Sequence, residues 1–272
     1  MRGLVSNLRF YFRVLAKKIL FAWQIETAYA GNTIGELFST IFYNITFIIF
    51  IDIVLRKYKL LAGYSFNDML VLVFVTQIVF YTGLTITYDS MSKFVQSVRD
   101  GIFDTYLLKP MSVFFQVMTL SIRPFSGLFF SVPPLLIYVV LIIKNQAFHP
   151  EPFGLTVGLL GMLVGILYLH FYRFTFAMFV FKTKQVKNLL KTLDLLGDAG
   201  SFPYEAYVEP FRTIVFFIAP FLAAAAIPAT YFLNKTTSLW PFVIQIGLML
   251  FFMTTALLLW RKGLKEYESI SS

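Results

Sequence analysis

Long apolar runs dominate the chain and restrict it to one kind of fold. Mostly apolar stretches of 18 or more residues recur along the 272 residues. Each is long enough to cross a hydrocarbon layer of about 30 Å. A segment inside lipid must satisfy its own backbone hydrogen bonds, which an α-helix does. The mean hydropathy of +0.75 and the charged fraction of 14% agree with this interpretation. We therefore predict an all-α membrane protein with a single membrane domain over 1–272.

Hydropathy predicts six transmembrane helices. They cover residues 37–55, 69–88, 113–143, 153–181, 186–202 and 239–260. Prolines are expected to kink the third span, because proline removes a helix hydrogen bond. Four charged residues interrupt the fifth span, which gives it the weakest membrane signal of the six.

An amphipathic helix is predicted before the first span, within 1–30. At about 100° per residue, apolar side chains gather on one face and basic side chains on the other. A helix of this kind lies in the plane of the lipid headgroups. Both a simple anchor and a lever that links motion outside the membrane to the spans are consistent with this pattern. The interleaved basic residues also argue against a cleavable signal.

The stretch 211–233 decides the predicted topology. Pro210, Pro220 and Pro228 divide it into pieces that are too short to cross a membrane. With six spans, fifteen lysines and arginines fall on the inner side and six on the outer side. This bias is the one that membrane insertion favours. We therefore predict a re-entrant hairpin from the outer face and both termini in the cytoplasm.

Charged residues inside predicted spans are candidates for a functional role, because a charge in lipid is costly. Asp89 lies near the inner end of span two and Arg123 lies early in span three. A hairpin between these spans could bring them together, as a structural ion pair or as a substrate contact. Arg173 is the better candidate for a polar group that faces a translocation path.

Several kinds of chemistry have no support in the sequence. No GxxxxGK[ST] phosphate loop, cysteine or HExxH motif occurs, and the two histidines are isolated. We expect no enzyme activity and no cofactor of the chain's own. The net charge of +9 is better explained by topology and anionic lipid than by nucleic acid.

A short polar segment, 96–111, interrupts the apolar sequence between spans two and three. It combines charges, an amphipathic turn and a Lys109-Pro110 stop. A loop that only joined two spans would not need this mixture. The segment therefore favours a small helix that is offered to a partner in the cytosol.

Three stretches together resemble the membrane subunit of a type-2 ATP-binding-cassette permease. RDGIFDTYLLKPM (99–111) is similar to the family's G-x-x-D-x-x-L-x-x-P signature, filled here by Gly101, Asp104, Leu107 and Pro110. The proline-marked segment 202–233 resembles the segment before the family's last span. WRKGLKEYES (260–269) resembles its W-x-x-G-L-x-x-Y-x-S tail.

The resemblance implies a six-span exporter subunit with a connecting helix, a coupling helix and a gating hairpin. Two permease subunits, identical or paralogous, would sit on two ABC ATPase subunits in the bacterial inner membrane. The ATPases would bind the ATP and magnesium. The residues implied in coupling are Arg99, Asp100, Gly101, Asp104, Tyr106, Leu107, Leu108 and Pro110. Those implied in the hairpin gate are Pro210, Arg212, Pro220 and Pro228.

Two other functions remain open from the residues themselves. An ion-coupled secondary transporter could use Glu36, Asp52 or Asp89. A membrane-embedded lipid-modifying enzyme is the third alternative. Neither function needs a docking helix between spans two and three. The sequence also lacks the deep charged pair that an ion relay requires and the His cluster that catalysis requires.

Overall fold

The computed structural model describes residues 2–28, 30–183 and 186–267. It is 82% helical, and the described residues form no β-strand. Within these residues, four helices are long and apolar enough to cross a membrane, and two shorter apolar helices accompany them. The prediction of an all-α membrane protein is therefore confirmed. The count of six spans stays a prediction.

The described residues of the first half of the chain form seven α-helices. They are α1 Arg2–Ala28, α2 Ala30–Tyr58, α3 Phe66–Gly83, α4 Asp89–Arg99, α5 Asp104–Leu107, α6 Val113–Met118 and α7 Pro124–Lys144. A π-helical turn, Leu84–Tyr88, joins α3 to α4. These three segments therefore form one long rod.

In the second half, residues 152–183 and 186–267 of the described chain form five α-helices and several tighter turns. The helices are α8 Pro152–Ala177, α9 Val186–Leu195, α10 Phe211–Ile218, α11 Ile227–Phe232 and α12 Trp240–Glu266. Short 3₁₀ segments follow α8 and α9, at Met178–Phe181 and Leu196–Ser201, and another lies at Tyr204–Ala206. A second π-helical turn, Leu222–Ala226, leads directly into α11.

Two predicted spans differ from single helices. The third is interrupted between α6 and α7, and Pro124 stands in the first turn of α7, where its missing N–H removes no helix bond. Pro133 and Pro134 lie inside α7. The fifth consists of the 10-residue α9 and then 3₁₀ turns. An α-helix of that length covers only about 15 Å.

The two ends of the bundle are distinguished by their loops. We call one the Gly101 end, which contains residues 99–112 and Tyr267, and the other the Asn234 end. At the Asn234 end, the Asn234 side chain accepts from the Glu151 N–H at 2.9 Å and donates to the His149 carbonyl at 2.9 Å. Lys235 Nζ lies 3.1 Å from the Asp68 carboxylate. These bonds join three loops that are far apart in sequence.

Helix α8 packs against α12 and the segment 222–232. Four glycines lie on its buried side, at positions 154, 158, 161 and 165. A Cβ at Gly165 would lie 2.2 Å from the Ala224 carbonyl oxygen, so the two backbones approach too closely for any side chain. The fully buried Gln245 of α12 donates from Nε2 to the Ala223 and Ala224 carbonyls at 3.0 and 3.3 Å. It thereby supplies a hydrogen-bond donor to the π-helical turn, which lipid could not do.

We expect Gly165→Ala to destabilise the protein by about 1–3 kcal/mol, because the methyl group must displace backbone rather than a flexible side chain. The matched control is Gly247→Ala on α12, where an added Cβ meets nothing within 4 Å. That change should be neutral or slightly stabilising, since alanine favours helix. Thermal unfolding of both purified variants in detergent measures the difference. Equal unfolding temperatures would contradict the close approach.

Candidate functional site

The segment between α4 and α6 folds as a compact turn at the Gly101 end. Helix α4 ends at Arg99, and Gly101 reverses the chain with φ +74°, a conformation that glycine adopts without strain. Within the predicted coupling helix, residues after this turn are α-helical only over Asp104–Leu107. The Lys109-Pro110 pair follows in an irregular bend. We refer to residues 99–111 as the coupling turn.

Side chains of the coupling turn point in opposite directions. Phe103 is fully buried, whereas Leu107 is 42% and Leu108 86% exposed. Tyr106 is half-buried, and its carbonyl accepts from Gln116 Nε2 at 2.9 Å. Burial raises the pKa of the Tyr106 hydroxyl. The Phe103 ring therefore attaches the turn to the bundle, whereas Leu107 and Leu108 are exposed on its surface.

Phe103 is inserted into a cluster of aromatic rings from three parts of the chain. Its ring centroid lies 5.1 Å from that of Tyr267, 5.6 Å from Phe94, 5.9 Å from Phe181 and 6.5 Å from Trp260. These partners belong to α4, to the end of the α8 rod, and to α12 with the residue after it. Edge-on contacts of this kind stabilise packing beyond the area they bury. A displacement of Phe103 would therefore act at once on α4, on the end of the segment that continues α8, and on α12.

The coupling turn packs against the end of α12. Trp260, Gly263 and Tyr267 follow a helical spacing, and a Cβ at Gly263 would lie 2.1 Å from the Phe181 ring. The Tyr267 hydroxyl is buried and lies near the Asp104 carboxylate. Burial, and then this carboxylate, raise the pKa of Tyr267 to about 12. The tail motif, 260–269, therefore contacts the coupling motif, 99–111, through Trp260 and Tyr267.

Sequence reasoning missed this contact. It predicted a coupling role for Asp104, which stays a prediction, and gave no sign that Asp104 lies near Tyr267 of the same chain. Arg99 and Asp100 do lie on the surface, with Arg99 Nε 3.2 Å from Asp100 Oδ1. The signal that could have found the contact is the aromatic–glycine–aromatic spacing of the tail, which places Trp260 and Tyr267 on one helical face.

Helix α1 packs against the same end of the bundle. The Tyr11 hydroxyl accepts from the Ser112 N–H at 3.0 Å, and Lys18 Nζ donates to the Thr119 hydroxyl at 2.8 Å. Burial, and then the nearby Lys109, lowers the pKa of Lys18. Helix α1 is therefore bonded to the chain on both sides of α6.

Asp89 and Arg123, which the sequence identified as possible partners, are brought together. Arg123 Nε lies 3.4 Å from Asp89 Oδ2 and 3.6 Å from Glu26 Oε1 of α1. The Arg123 N–H also donates to the Thr85 carbonyl in the π-helical turn at 3.1 Å. The guanidinium thus links α1, α4 and the break before α7.

Arg173, the candidate for a polar group that faces a translocation path, lies buried between α8 and α9. It is 6% exposed, forms an ion pair with Asp194 of α9, and lies 4.0 Å from the Tyr88 ring centroid. Asp194 was one of the charges that weakened the membrane signal of the fifth span. The ion pair with Arg173 of α8 compensates the charge of Asp194.

A cavity of about 870 Å³ opens beside α2, and we call it the α2–α3 cavity. Its wall combines aromatic rings with hydroxyl and amide groups from α2, α3, α7 and the turn after α9. The lining residues used below are Glu36, Tyr43, Asn44, Thr76, Gln77, Phe80, Tyr81, Arg123, Phe130 and Ser201. This volume lies within the range of about 300–1,000 Å³ that is usual for small-molecule sites.

The predicted hairpin residues surround a break between α10 and α11. Pro210 precedes α10, the extended residue Ala219 ends it, and Pro220 follows. Arg212 Nε donates to the Tyr207 carbonyl at 2.8 Å. Pro228 stands in the first turn of α11.

Both sides of this hairpin reach the Asn234 end. Tyr204 and Glu205, before α10, line a second cavity of about 560 Å³ together with Thr230 and Lys235, which lie in and after α11. Tyr64 of the α2–α3 loop lines the same cavity, and burial, followed by Glu205, raises the pKa of its hydroxyl.

These features define a polytopic helical membrane protein with a compact turn that exposes two leucines at one end. The family model described as "ABC-2 family transporter protein" matches residues 41–271, and the chain belongs to that family. It is a membrane permease subunit of a type-2 ABC transporter, a class that partners ABC ATPase subunits. No curated protein matches the chain, and no solved structure does.

A pair of substitutions on the coupling turn separates its inward and outward faces. Phe103→Ala should destabilise the protein by about 3–5 kcal/mol, because it leaves a cavity among four aromatic rings. Leu108→Ala, five residues further on, removes an exposed side chain and should change stability by less than about 0.5 kcal/mol. Thermal unfolding in detergent provides the comparison. A Phe103→Ala protein as stable as wild type would refute the insertion of this ring.

Proposed function

We propose that the chain forms one half of the translocation path of an exporter. A second permease copy or a paralogue supplies the other half, and two separate ABC ATPase subunits bind the ATP and magnesium. The absence of a phosphate loop from the sequence supports this division of labour. The membership of the ABC-2 family supports the partnership.

The observation that carries the proposal is the two-sided coupling turn. Leu107 and Leu108 are exposed while Phe103 is buried in the bundle. Docking on an ATPase groove would bury the leucines and contribute about 1.5–3 kcal/mol for each side chain. Movement of the docked turn would then reach α4, α8 and α12 through Phe103. Arg99 and Asp100, which are exposed at the start of the same turn, would orient the contact.

The proposed orientation places the Gly101 end in the cytoplasm of a bacterial cell, at the inner membrane. The lysine and arginine bias supports it, because cytoplasmic loops carry an excess of these residues. The hairpin 211–233 would then enter from the outer face and narrow the exit. The shared cavity of Glu205 and Lys235 at the Asn234 end supports a hairpin with both ends on one side.

Leu107→Asp tests the docking surface. A carboxylate cannot replace the buried leucine, so ATPase binding should weaken about 10- to 150-fold. Transport-coupled ATP hydrolysis should be lost, whereas the amount of inserted permease should stay unchanged. Pull-down of the ATPase and hydrolysis in proteoliposomes measure the two effects.

Lys265→Asp is the matched control for Leu107→Asp. It adds a carboxylate at an exposed position near the same end of the bundle. It should retain ATPase binding and hydrolysis. Full coupling in Leu107→Asp, or equal losses in both variants, would overturn the docking proposal.

Single-cysteine labelling tests the hairpin, and the chain has no native cysteine to remove. A membrane-impermeant thiol reagent on intact cells should label Glu209→Cys and Thr237→Cys alike and should spare Lys265→Cys. Thr237 is preferred to Asn234, whose side chain bridges two loop groups. Labelling of only one of the first two positions would mean that 211–233 crosses the membrane, and the gate proposal would fail.

A further inference from the structure

We propose that the α2–α3 cavity binds an amphipathic molecule whose head group is uncharged and carries hydroxyl groups, with Asn44 as its principal acceptor. The inference deepens the proposed function, because it names the chemical class of the substrate that the path would carry. It rests on four features of the cavity wall, and each concerns side chains in the described part of the chain.

Asn44 has a buried acceptor that the protein leaves unused. The residue is 1% exposed and lines the cavity. Its Nδ2 donates to the Thr40 carbonyl at 2.8 Å and to the Tyr81 hydroxyl at 3.4 Å. Its Oδ1 has no hydrogen-bond partner among the described residues. A buried carbonyl of this kind costs free energy unless a donor meets it, so the wall favours a ligand that carries O–H or N–H groups.

The other deeply buried polar groups of the wall are also neutral. Thr76, Gln77 and Ser201 are each less than 10% exposed. The Thr76 hydroxyl donates towards the Leu72 and Gly200 carbonyls, at 2.9 and 2.8 Å, which leaves its lone pairs to accept from a ligand. Amides and hydroxyls can exchange hydrogen bonds with a hydroxylated head group. They cannot neutralise a charged one, and an uncompensated charge at this depth is costly.

Two charged residues, Arg123 and Glu36, also line the cavity. Arg123 is already held by Asp89 at 3.4 Å and by Glu26 at 3.6 Å. Glu36 is exposed on α2, eight residues before Asn44 and therefore about 12 Å away along the helix. A cationic head group held by Glu36 is the rival ligand, and the experiment distinguishes it.

Aromatic rings complete the wall and would receive the apolar part of the ligand. Tyr43, Phe80, Tyr81 and Phe130 line the cavity beside the polar groups. Their flat faces pack well against apolar rings or chains. Aromatic platforms next to neutral hydrogen-bonding groups thus match a molecule with one apolar and one hydroxylated part.

Three probes with the same octyl chain test the head-group class. Octyl β-glucoside is neutral and hydroxylated, octyltrimethylammonium is cationic, and octyl sulfate is anionic. Equilibrium binding of each radiolabelled probe is measured on the permease–ATPase complex in nanodiscs, below the micellar concentration and with empty nanodiscs subtracted. The glucoside should bind most tightly. Tighter binding of either charged probe, or no saturable binding of the glucoside, would overturn the proposal.

Two substitutions of Asn44 locate the site. Asn44→Leu should weaken glucoside binding about 5- to 10-fold, since it removes one neutral hydrogen bond. Asn44→Asp should shift the preference towards octyltrimethylammonium, because it adds a carboxylate to the neutral wall. Thr156→Leu, at an exposed position of α8 outside the cavity, is the control and should bind like wild type. Unchanged glucoside affinity in Asn44→Leu would place the ligand elsewhere and refute the inference.

The binding readout separates this inference from the proposed function. Glucoside binding that depends on Asn44, in a complex whose ATP hydrolysis is unaffected by Leu107→Asp, would support the site and reject the docking proposal. Loss of hydrolysis in Leu107→Asp, together with no glucoside binding, would reject the site and leave the docking proposal standing.

Discussion

The close contact between α8 and the segment 222–232 is the constraint on which the rest of the bundle depends. Its geometry is set by missing side chains, because Gly154 and Gly165 bring their helix within reach of the Tyr231 and Ala224 carbonyls. Lipid offers no hydrogen bonds to a backbone that departs from the α-helix, so a π-helical turn at this depth must find partners inside the protein. Gln245 of α12 provides them. Three elements are thus fixed together by backbone approach and one buried amide.

Ion pairs secure the other junctions of the bundle. Arg173 and Asp194 join α8 to α9, and Arg123 joins α1 to α4 through Glu26 and Asp89. Each pair spans separate elements. Because the Arg173 side chain is only 7% exposed, removal of Asp194 would leave the guanidinium charge unpaired in a poorly hydrated place. The charges that made the fifth span look unsuited to a membrane are therefore partly explained by their neighbours. This accommodation favours packing over ion transport as the role of these residues.

The sequence predicted the broad features of the fold because they depend on local properties. Apolar run length gave the membrane class, and the proline positions indicated where 211–233 would break. Non-local pairing was harder to foresee. Nothing in the residues around Asp104 indicates Tyr267, more than 160 positions away. The prolines of the third span predicted a kink, but not that the helix is interrupted before Pro124. At the candidate site, exposure of Leu107 and Leu108 agreed with the amphipathic turn, whereas the inward direction of Phe103 needed the structure.

The coupling turn and the hairpin contact the same two helices, α8 and α12, at different points along their length. Phe103 contacts Phe181 at the end of the α8 rod and Trp260 of α12. Further along these helices, Gly165 and Gln245 contact the Ala223–Ala224 carbonyls of the hairpin. Packed interiors transmit displacement because they have little free volume. A shift of the turn that moved α8 relative to α12 would separate Gln245 from the carbonyls it satisfies or carry the hairpin with it. The arrangement therefore provides a continuous physical route from the proposed docking surface to the proposed gate, with the α2–α3 cavity beside it.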